Sequence, residues 1–319
     1  MNPRDPMELT GVLNVNKPAG MTSHDVVDVV RRLLKIRRVG HTGTLDPRAT
    51  GVLPLCVGRA TRIAQFLTQA DKEYVMTMRL GITTDTLDAD GKVVTRTEEI
   101  AVDVVKLRET LAGFVGEIDQ IPPLFSAKKH RGERLYRLAR RGETVDREPV
   151  KVKIYRLDLL SLDLPFVKLQ VECSKGTYAR SLCDDIGRAL GCGAHLYALT
   201  RIRSGRFMLE DALTLEALGQ IVSEGRIRDV LIPVAEALAH LPVARIHPES
   251  SRAVIQGNGM AAAALLSFPP EVEKGDLVRV LGYRRQLLAL AQATVAGREF
   301  GAGDPRRVVL KPVRVLIGQ

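Results

Sequence analysis

The chain has 319 residues, 45% hydrophobic and 26% charged, enough for one large domain or a large one plus a small one of ordinary globular composition. Its formal net charge of +10 favours a polyanionic partner, nucleic acid first and an anionic membrane surface second. No run of 18 apolar residues occurs, no C-x-x-C pair joins Cys56, Cys173, Cys183 or Cys192, and the opening MNPRDPMELT has no signal-peptide run. These features set the expectation of a cytoplasmic, metal-free protein with free buried thiols and no membrane span.

In chain order, GVLNVNKPAG (Gly11 to Gly20) predicts a short strand entering a Lys-Pro-Ala-Gly turn. TSHDVVDVVRRLLKI follows as a helix, with Ser23 placed to cap it, Asp25 in its first turn, and Val26, Val29, Val30, Leu33 and Leu34 on one face. Next comes GHTGTLDPRATGVLPL (Gly40 to Leu55), ending in an apolar strand. A short helix is expected over ATRIAQFLTQA, then a strand, EYVMTMRLG, whose Tyr74, Met76, Met78 and Leu80 share a face. DADG (Asp88 to Gly91) is a turn before the strand KVVTRT. Further on, VDVVKLRETLAGFVG reads as a helix, KVKIYRLDLLSL and FVKLQVECS as strands, SLCDDIGRALG as a helix ending at Gly191, and LTRIRSGRF as a strand.

Strands outnumber helices, which predicts an α+β fold with a mixed or antiparallel sheet. Composition shifts over IPVAEALAHLPVARIH, and the β-like pieces beyond it predict a division into residues 1–239 and a small β-rich unit, 240–319.

Three stretches have the residue types for chemistry. In the first, Asp46 stands just before Pro47, with no other acid within ten residues on either side. Pro47 restricts Asp46 to extended or bridge-like backbone, and Gly43 and Gly51 permit close approach by a ligand. A carboxylate so held suits a nucleophile or base; the alternative is an Asx-turn onto its own backbone. His41 has no partner at metal-ligand spacing, so a structural role is its default.

In the second, CSKGTYARSLCDDIG, Tyr178 and Arg180 precede a helix. A cation sits poorly at that end of the dipole, which points to a distant carboxylate that Arg180 would keep ionised. The third, residues 126–153, is dense in Lys and Arg with Tyr136 interleaved; it reads as a phosphate-contacting segment or as a solvated helix face. Tyr74 is either a stacking platform for a base or core.

Together GVLNVNKPAGMTS, GHTGTLDPRATGVLPLCVGRATR, DKEYVM, LGITTDTLDADG, IPPLFSAKK and CSKGTYARSLCDDIG resemble the TruB family of bacterial tRNA pseudouridine synthases, in order over about residues 10 to 210. Residues beyond 240 resemble the family's PUA-type RNA-binding domain. The resemblance implies isomerisation of a T-loop uridine of tRNA (position 55 in tRNA numbering) to pseudouridine, with no cofactor and no metal. It implies Asp46 as nucleophile, Arg180 as its salt-bridge partner, and Tyr74 stacking on the flipped base. Tyr178 and Leu199 line the pocket, His41 supports the opened RNA loop, and Lys17 and Pro18 pack near the active loop.

Lys128, Lys129 and Arg131 are the expected backbone contacts. An acid of reference pKa about 3.9 is already ionised at neutral pH and needs no general base. Removal of the C5 proton does need one, and Tyr178 is the candidate by position. The chain lacks the long basic extensions of relatives that work in guide-RNA particles, so a monomer acting without a protein partner is expected. The rival reading is an RNA-binding or tRNA-folding module without turnover; it would not need Asp46, Tyr74 and Arg180 converging from three segments. A carboxylate-dependent hydrolase lacks the paired acid such chemistry uses.

Overall fold

The computed structural model describes residues 9–125, 129–130, 133–134, 141, 145–301 and 303–316. Strand β1 (Gly11–Lys17) leads into helix α1 (Ser23–Leu34), then β2 (Val39–His41), β3 (Thr50–Val57), a 3-10 turn and α2 (Ala64–Thr68). Next come β4 (Lys72–Leu80), the hairpin of β5 (Ile82–Thr84) and β6 (Val93–Arg96), α3 (Val104–Ala112) and β7 (Gly116–Gln120). Two short paired strands, β8 (Lys129–His130) and β9 (Glu133–Arg134), precede β10 (Val150–Asp163), β11 (Phe166–Cys173), α4 (Ala179–Leu190), β12 (Ala194–Ser204) and β13 (Phe207–Met208).

The large sheet runs β1-β3-β12-β4-β11-β10-β7, with β2 on β3 and β13 on β12. Its pairs are antiparallel except β3 with β12, where Thr50 faces Thr200 and Gly51 faces Arg201. The alternation expected in β4 holds. Met76, Met78 and Leu80 are buried with Leu107 and Leu111 of α3 and Leu182 and Ile186 of α4, and Tyr74 packs against that cluster. Strand β1 is buried almost end to end because both its faces are covered. Leu13 and Val15 lie under Val26, Val27 and Val30 of α1, whereas Val12 faces Ile63, Ala237 and Leu238.

Two local expectations are corrected. The cap of α1 is Thr22, not Ser23: the Thr22 hydroxyl accepts from the Asp25 N–H, and the Asp25 carboxylate accepts from the Thr22 N–H. Ser23 is drawn inward instead, by a task described below. At Gly51, whose φ is +101°, a Cβ would sit 2.2 Å from the Arg201 carbonyl oxygen, so the close approach there is by β12 and not by a ligand.

A second sheet, β14 (Val243–Ile246), β15 (Met260–Ala261), β16 (Leu265–Ser267), β17 (Leu277–Leu281), β18 (Leu287–Ala293) and β19 (Val308–Val315), has the order β15-β19-β18-β17-β14-β16. It closes over Ile246, Val278, Val280, Ala289 and Leu310, giving the expected α+β chain a β-rich C-terminal part. Leu287, Leu290 and Leu316 join it to Val12, Ile63 and Leu238 of the first part. The four cysteines are free and buried. Among the described residues no helix is long and apolar enough to cross a membrane.

Candidate active site

Asp46 opens a four-residue turn, closed by the Ala49 N–H donating to the Asp46 carbonyl at 3.0 Å, with Pro47 where a turn wants its φ preset. Both flanks are pinned. Before it, the Ser23 hydroxyl accepts from the Leu45 N–H at 2.8 Å and donates to the Leu45 carbonyl at 3.0 Å. After it, the Pro47 carbonyl accepts from the Gly20 N–H at 2.9 Å and from the Lys17 ammonium at 3.1 Å. Lys17 is wholly buried, and burial pushes its pKa down to about 8 against the attraction of Asp46. The strand end and helix start around the KPAGMTS stretch thus act as a clamp on the loop.

The carboxylate does not turn back on its own backbone. Arg180 meets it with two nitrogens, Nε 3.0 Å from Oδ2 and Nη2 donating to Oδ1 at 3.4 Å. The remaining guanidinium capacity is also used. Nη1 lies 3.5 Å from Asp88 Oδ2 and donates to the Thr86 carbonyl at 3.3 Å, and Nη2 donates to the Phe125 carbonyl at 2.9 Å. Three chain segments are therefore fixed on one cation whose side chain is 8% exposed. Arg180 lies inside the first turn of α4, which starts at Ala179, rather than ahead of the helix.

Two expectations about Asp46 change. It is alone in sequence but not in space: Asp88 shares its arginine, and Asp90, paired with Arg48 at 2.8 Å, lies along the same cavity wall. Its pKa is also raised, not lowered. Loss of hydration by burial is the largest cause, Arg180 opposes it, and Asp88 adds to it. With 44% of the side chain still reached by solvent, the carboxylate keeps some hydration, and Arg180 holds it in place more than it acidifies it.

A cleft of about 1140 Å³ gathers His41, Asp46, Tyr74, Tyr178, Arg180 and Leu199, contributed by four separate segments. A smaller cavity of about 370 Å³ shares Asp46, Arg180 and Leu199 and adds Asp88 and Tyr197. Tyr74 is half-buried. Burial pushes its phenol pKa up, and the charge and hydrogen bond of Arg201 oppose this. His41 ends β2, opposite Leu55 of β3. Leu199 sits on β12 opposite Met76. Lys128 and Arg131 lie outside the described residues, and of Lys129 only the backbone in β8 is described.

Sequence reading missed several positioning groups. Arg201, 1% exposed, donates to the Val52 carbonyl at 2.7 Å and the Gly43 carbonyl at 3.1 Å, tying the Asp46 loop to the sheet beneath Tyr74. Gln120, fully buried, grips Tyr178 by both backbone groups: its oxygen accepts from the Tyr178 N–H at 3.0 Å and its NH₂ donates to the Tyr178 carbonyl at 3.3 Å. Asp88 was legible only as a turn residue. A buried Arg in a basic strand and a Gln before Ile-Pro-Pro have no local signature; their partners are far along the chain.

The geometry agrees with what comparison returns. A family model described as TruB family pseudouridylate synthase (N terminal domain) matches residues 31–179, and one described as tRNA pseudouridylate synthase B C-terminal domain matches residues 180–239. The tRNA pseudouridine synthase B of Ralstonia pickettii is 44% identical over 313 residues, 97% of this chain and 95% of the relative. That of Pseudomonas paraeruginosa is 42% identical over 304 residues, 94% and 96% of the two chains. Among solved structures, a chain of a Cbf5–Nop10–Gar1 complex superposes with a TM-score of 0.78 at 31% identity, covering 98% of this chain and 87% of that one. A chain of an H/ACA RNP bound to a substrate RNA containing 2′-deoxyuridine gives 0.76 at 29% identity, over 100% and 92%. By sequence along nearly its whole length and by fold, the chain belongs to the TruB family of pseudouridylate synthases.

Proposed function

We propose that this protein isomerises a uridine of tRNA to pseudouridine, the target being position 55 in the T-loop, with Asp46 as the nucleophile. The observation that carries the reading is the Asp46–Arg180 pair standing in one cleft with Tyr74, Tyr178 and Leu199. In the reaction the bond from N1 to C1′ breaks, a bond from C5 to C1′ forms, and the C5 hydrogen is replaced by one on N1, so the sum of atoms is unchanged.

A stacked base must leave the loop to reach Asp46, at a cost of a few kcal/mol. Stacking on Tyr74 returns about 1–3 kcal/mol of it, and Leu199 adds apolar surface beside it on the neighbouring strand β12. Asp46 attacks as the carboxylate, at C6 of the ring or C1′ of the sugar, while Arg180 fixes the direction of its oxygens. The C5 proton is then lost to a group in the cleft, with Tyr178 the candidate by position.

The division at 239/240 is part of the same reading. Residues 240–319 act as a PUA-type RNA-binding module, and the basic segment 126–153 contacts the T-arm backbone. The protein works as a monomer on tRNA without a protein partner or cofactor. The test is release of tritium from uracil C5 in a tRNA transcript by the full chain, with a transcript carrying C at the target as control. Release that tracks the target uridine supports the proposal; tight tRNA binding with no release supports a tRNA-folding module instead. For the basic segment, replacing Lys128 and Lys129 by Ala should flatten the salt dependence of binding by about one unit per lost contact.

A further inference from the structure

One wall of the cleft has no part in holding Asp46. It is made by the end of α2 and start of β4 (Thr68, Gln69 and Lys72) and by the turn before α4 (Ser174 to Thr177). It carries two ammonium groups, each held by neutral carbonyl oxygens. Lys72, 7% exposed, donates to the Thr68 carbonyl at 2.6 Å and also to the Ala70 carbonyl. Lys175, exposed, donates to the side-chain carbonyl of Gln69. The Lys175 turn is closed by the Thr177 hydroxyl donating to the Ser174 carbonyl at 2.9 Å, which keeps that lysine at the cleft edge.

We propose that Lys72 and Lys175 form a subsite for one backbone phosphate of the RNA, the one flanking the uridine that enters the cleft. This rests on the tRNA reading above. A cation buried without a counter-charge is costly, and a second cation close by adds to the cost. Burial, Arg201 and Lys175 push the Lys72 pKa down to about 8, against the weaker opposing pull of Cys173 and Asp71, so the counter-charge within reach falls short of what the buried ammonium needs. A phosphodiester in the adjoining space supplies the negative charge that offsets the buried ammonium and its repulsion by Arg201 and Lys175, whereas an apolar or cationic ligand supplies none.

The spacing fits as well. Lys72 and Tyr74 lie two residues apart on one strand face, roughly 6.8 Å, a displacement on the scale of one nucleotide. A base stacked on Tyr74 therefore leaves its own or the adjacent phosphate level with Lys72.

The test is a binding cycle on the full-length protein. The probes are a T-arm stem–loop RNA and two versions carrying a single uncharged methylphosphonate, 5′ or 3′ of the target uridine. Lys175→Ala, at an exposed position, should weaken binding of the unmodified RNA roughly tenfold and lower the slope of log Kd against log salt by about 0.7. At one of the two linkages, the methylphosphonate should cost the wild type about the same and cost Lys175→Ala nothing further. Lys72→Met, if folded by circular dichroism, should show the same coupling; if it does not fold, Lys175→Ala decides. Additive losses at both linkages, or an unchanged salt slope, overturn the subsite. Tritium release by the wild type on the unmodified stem–loop is scored separately, so loss of the catalytic reading is not confused with loss of the phosphate contact.

Discussion

The two large sheets solve burial in opposite ways. Among the described residues, the buried polar and charged side chains, from Asn14 to Ser204, all belong to the first part of the chain, and they include Lys17, Lys72, Glu73, Gln120, Arg180 and Arg201. The second sheet closes over Ala, Ile, Val, Leu, Met and Phe alone. Burying an ion is worth it only where geometry and hydrogen bonding return the desolvation cost, and an apolar core of equal volume is often the more stable choice. The first sheet therefore gives up stability to fix directions: of a carboxylate, a phenol and a guanidinium. The second, among the described residues, fixes no buried polar side chain in direction.

Substitutions can break that contrast or sharpen it. Asp46→Asn should abolish turnover, by on the order of 10⁴-fold or more, equivalent to about 5.5 kcal/mol of barrier, with tRNA binding roughly retained; undiminished tritium release would remove Asp46 from the mechanism. Arg180→Ala should cost about 3–5 kcal/mol of stability in denaturant unfolding, because Asp46 and Asp88 then face each other unpaired. Arg180→Met with Asp46→Asn should cost less than Arg180→Ala alone. In the second sheet, Leu310→Ala should cost about 2–5 kcal/mol yet leave kcat at the cleft unchanged; a fall in kcat matching that of the cleft variants would erase the distinction between the parts.

Gln120→Leu should cost about 1–3 kcal/mol, leaving two backbone groups of Tyr178 unpaired, and should lower kcat more than it raises KM. A change in KM alone would make the Gln120 grip a matter of substrate binding, and a loss of stability with both constants unchanged would make it a matter of folding only. The smallest effect concerns pH. Asp46 titrates above the usual carboxylate value, so the stability tied to its protonated form is present at low pH and lost as pH rises through that value. Activity runs the other way, falling as pH drops through it. Asp88→Asn removes one cause of the rise, so the acid limb of kcat should move to lower pH; a move upward would show that Asp88 steadies Arg180 more than it repels Asp46.

Much of the fold was written locally. Alternation along Tyr74 to Leu80, the periodic valines of α1 and the glycine ending α4 depend on neighbours within a few residues, where spacing and side-chain type suffice. Even there the cap of α1 shifted by one residue, because Ser23 and Thr22 are equivalent as caps until Leu45 packs close enough to claim one hydroxyl. That Asp46, Tyr74, Tyr178 and Arg180 would share one cleft was legible because their stretches are rare combinations matching a known family.

Their energetics were not legible. Whether Asp46 is acidified or made less acidic depends on the balance of desolvation, Arg180 and Asp88, and each of those acts through space over a few Å. The sequence by itself determined which elements form and which carboxylate stands on a stiff turn, since backbone preference and apolar spacing are short-range. Only the tertiary structure decided that Asp88 and Arg201 gather around that turn and that Gln120 holds Tyr178, because their partners lie tens of residues away and a buried polar group is identified by what surrounds it.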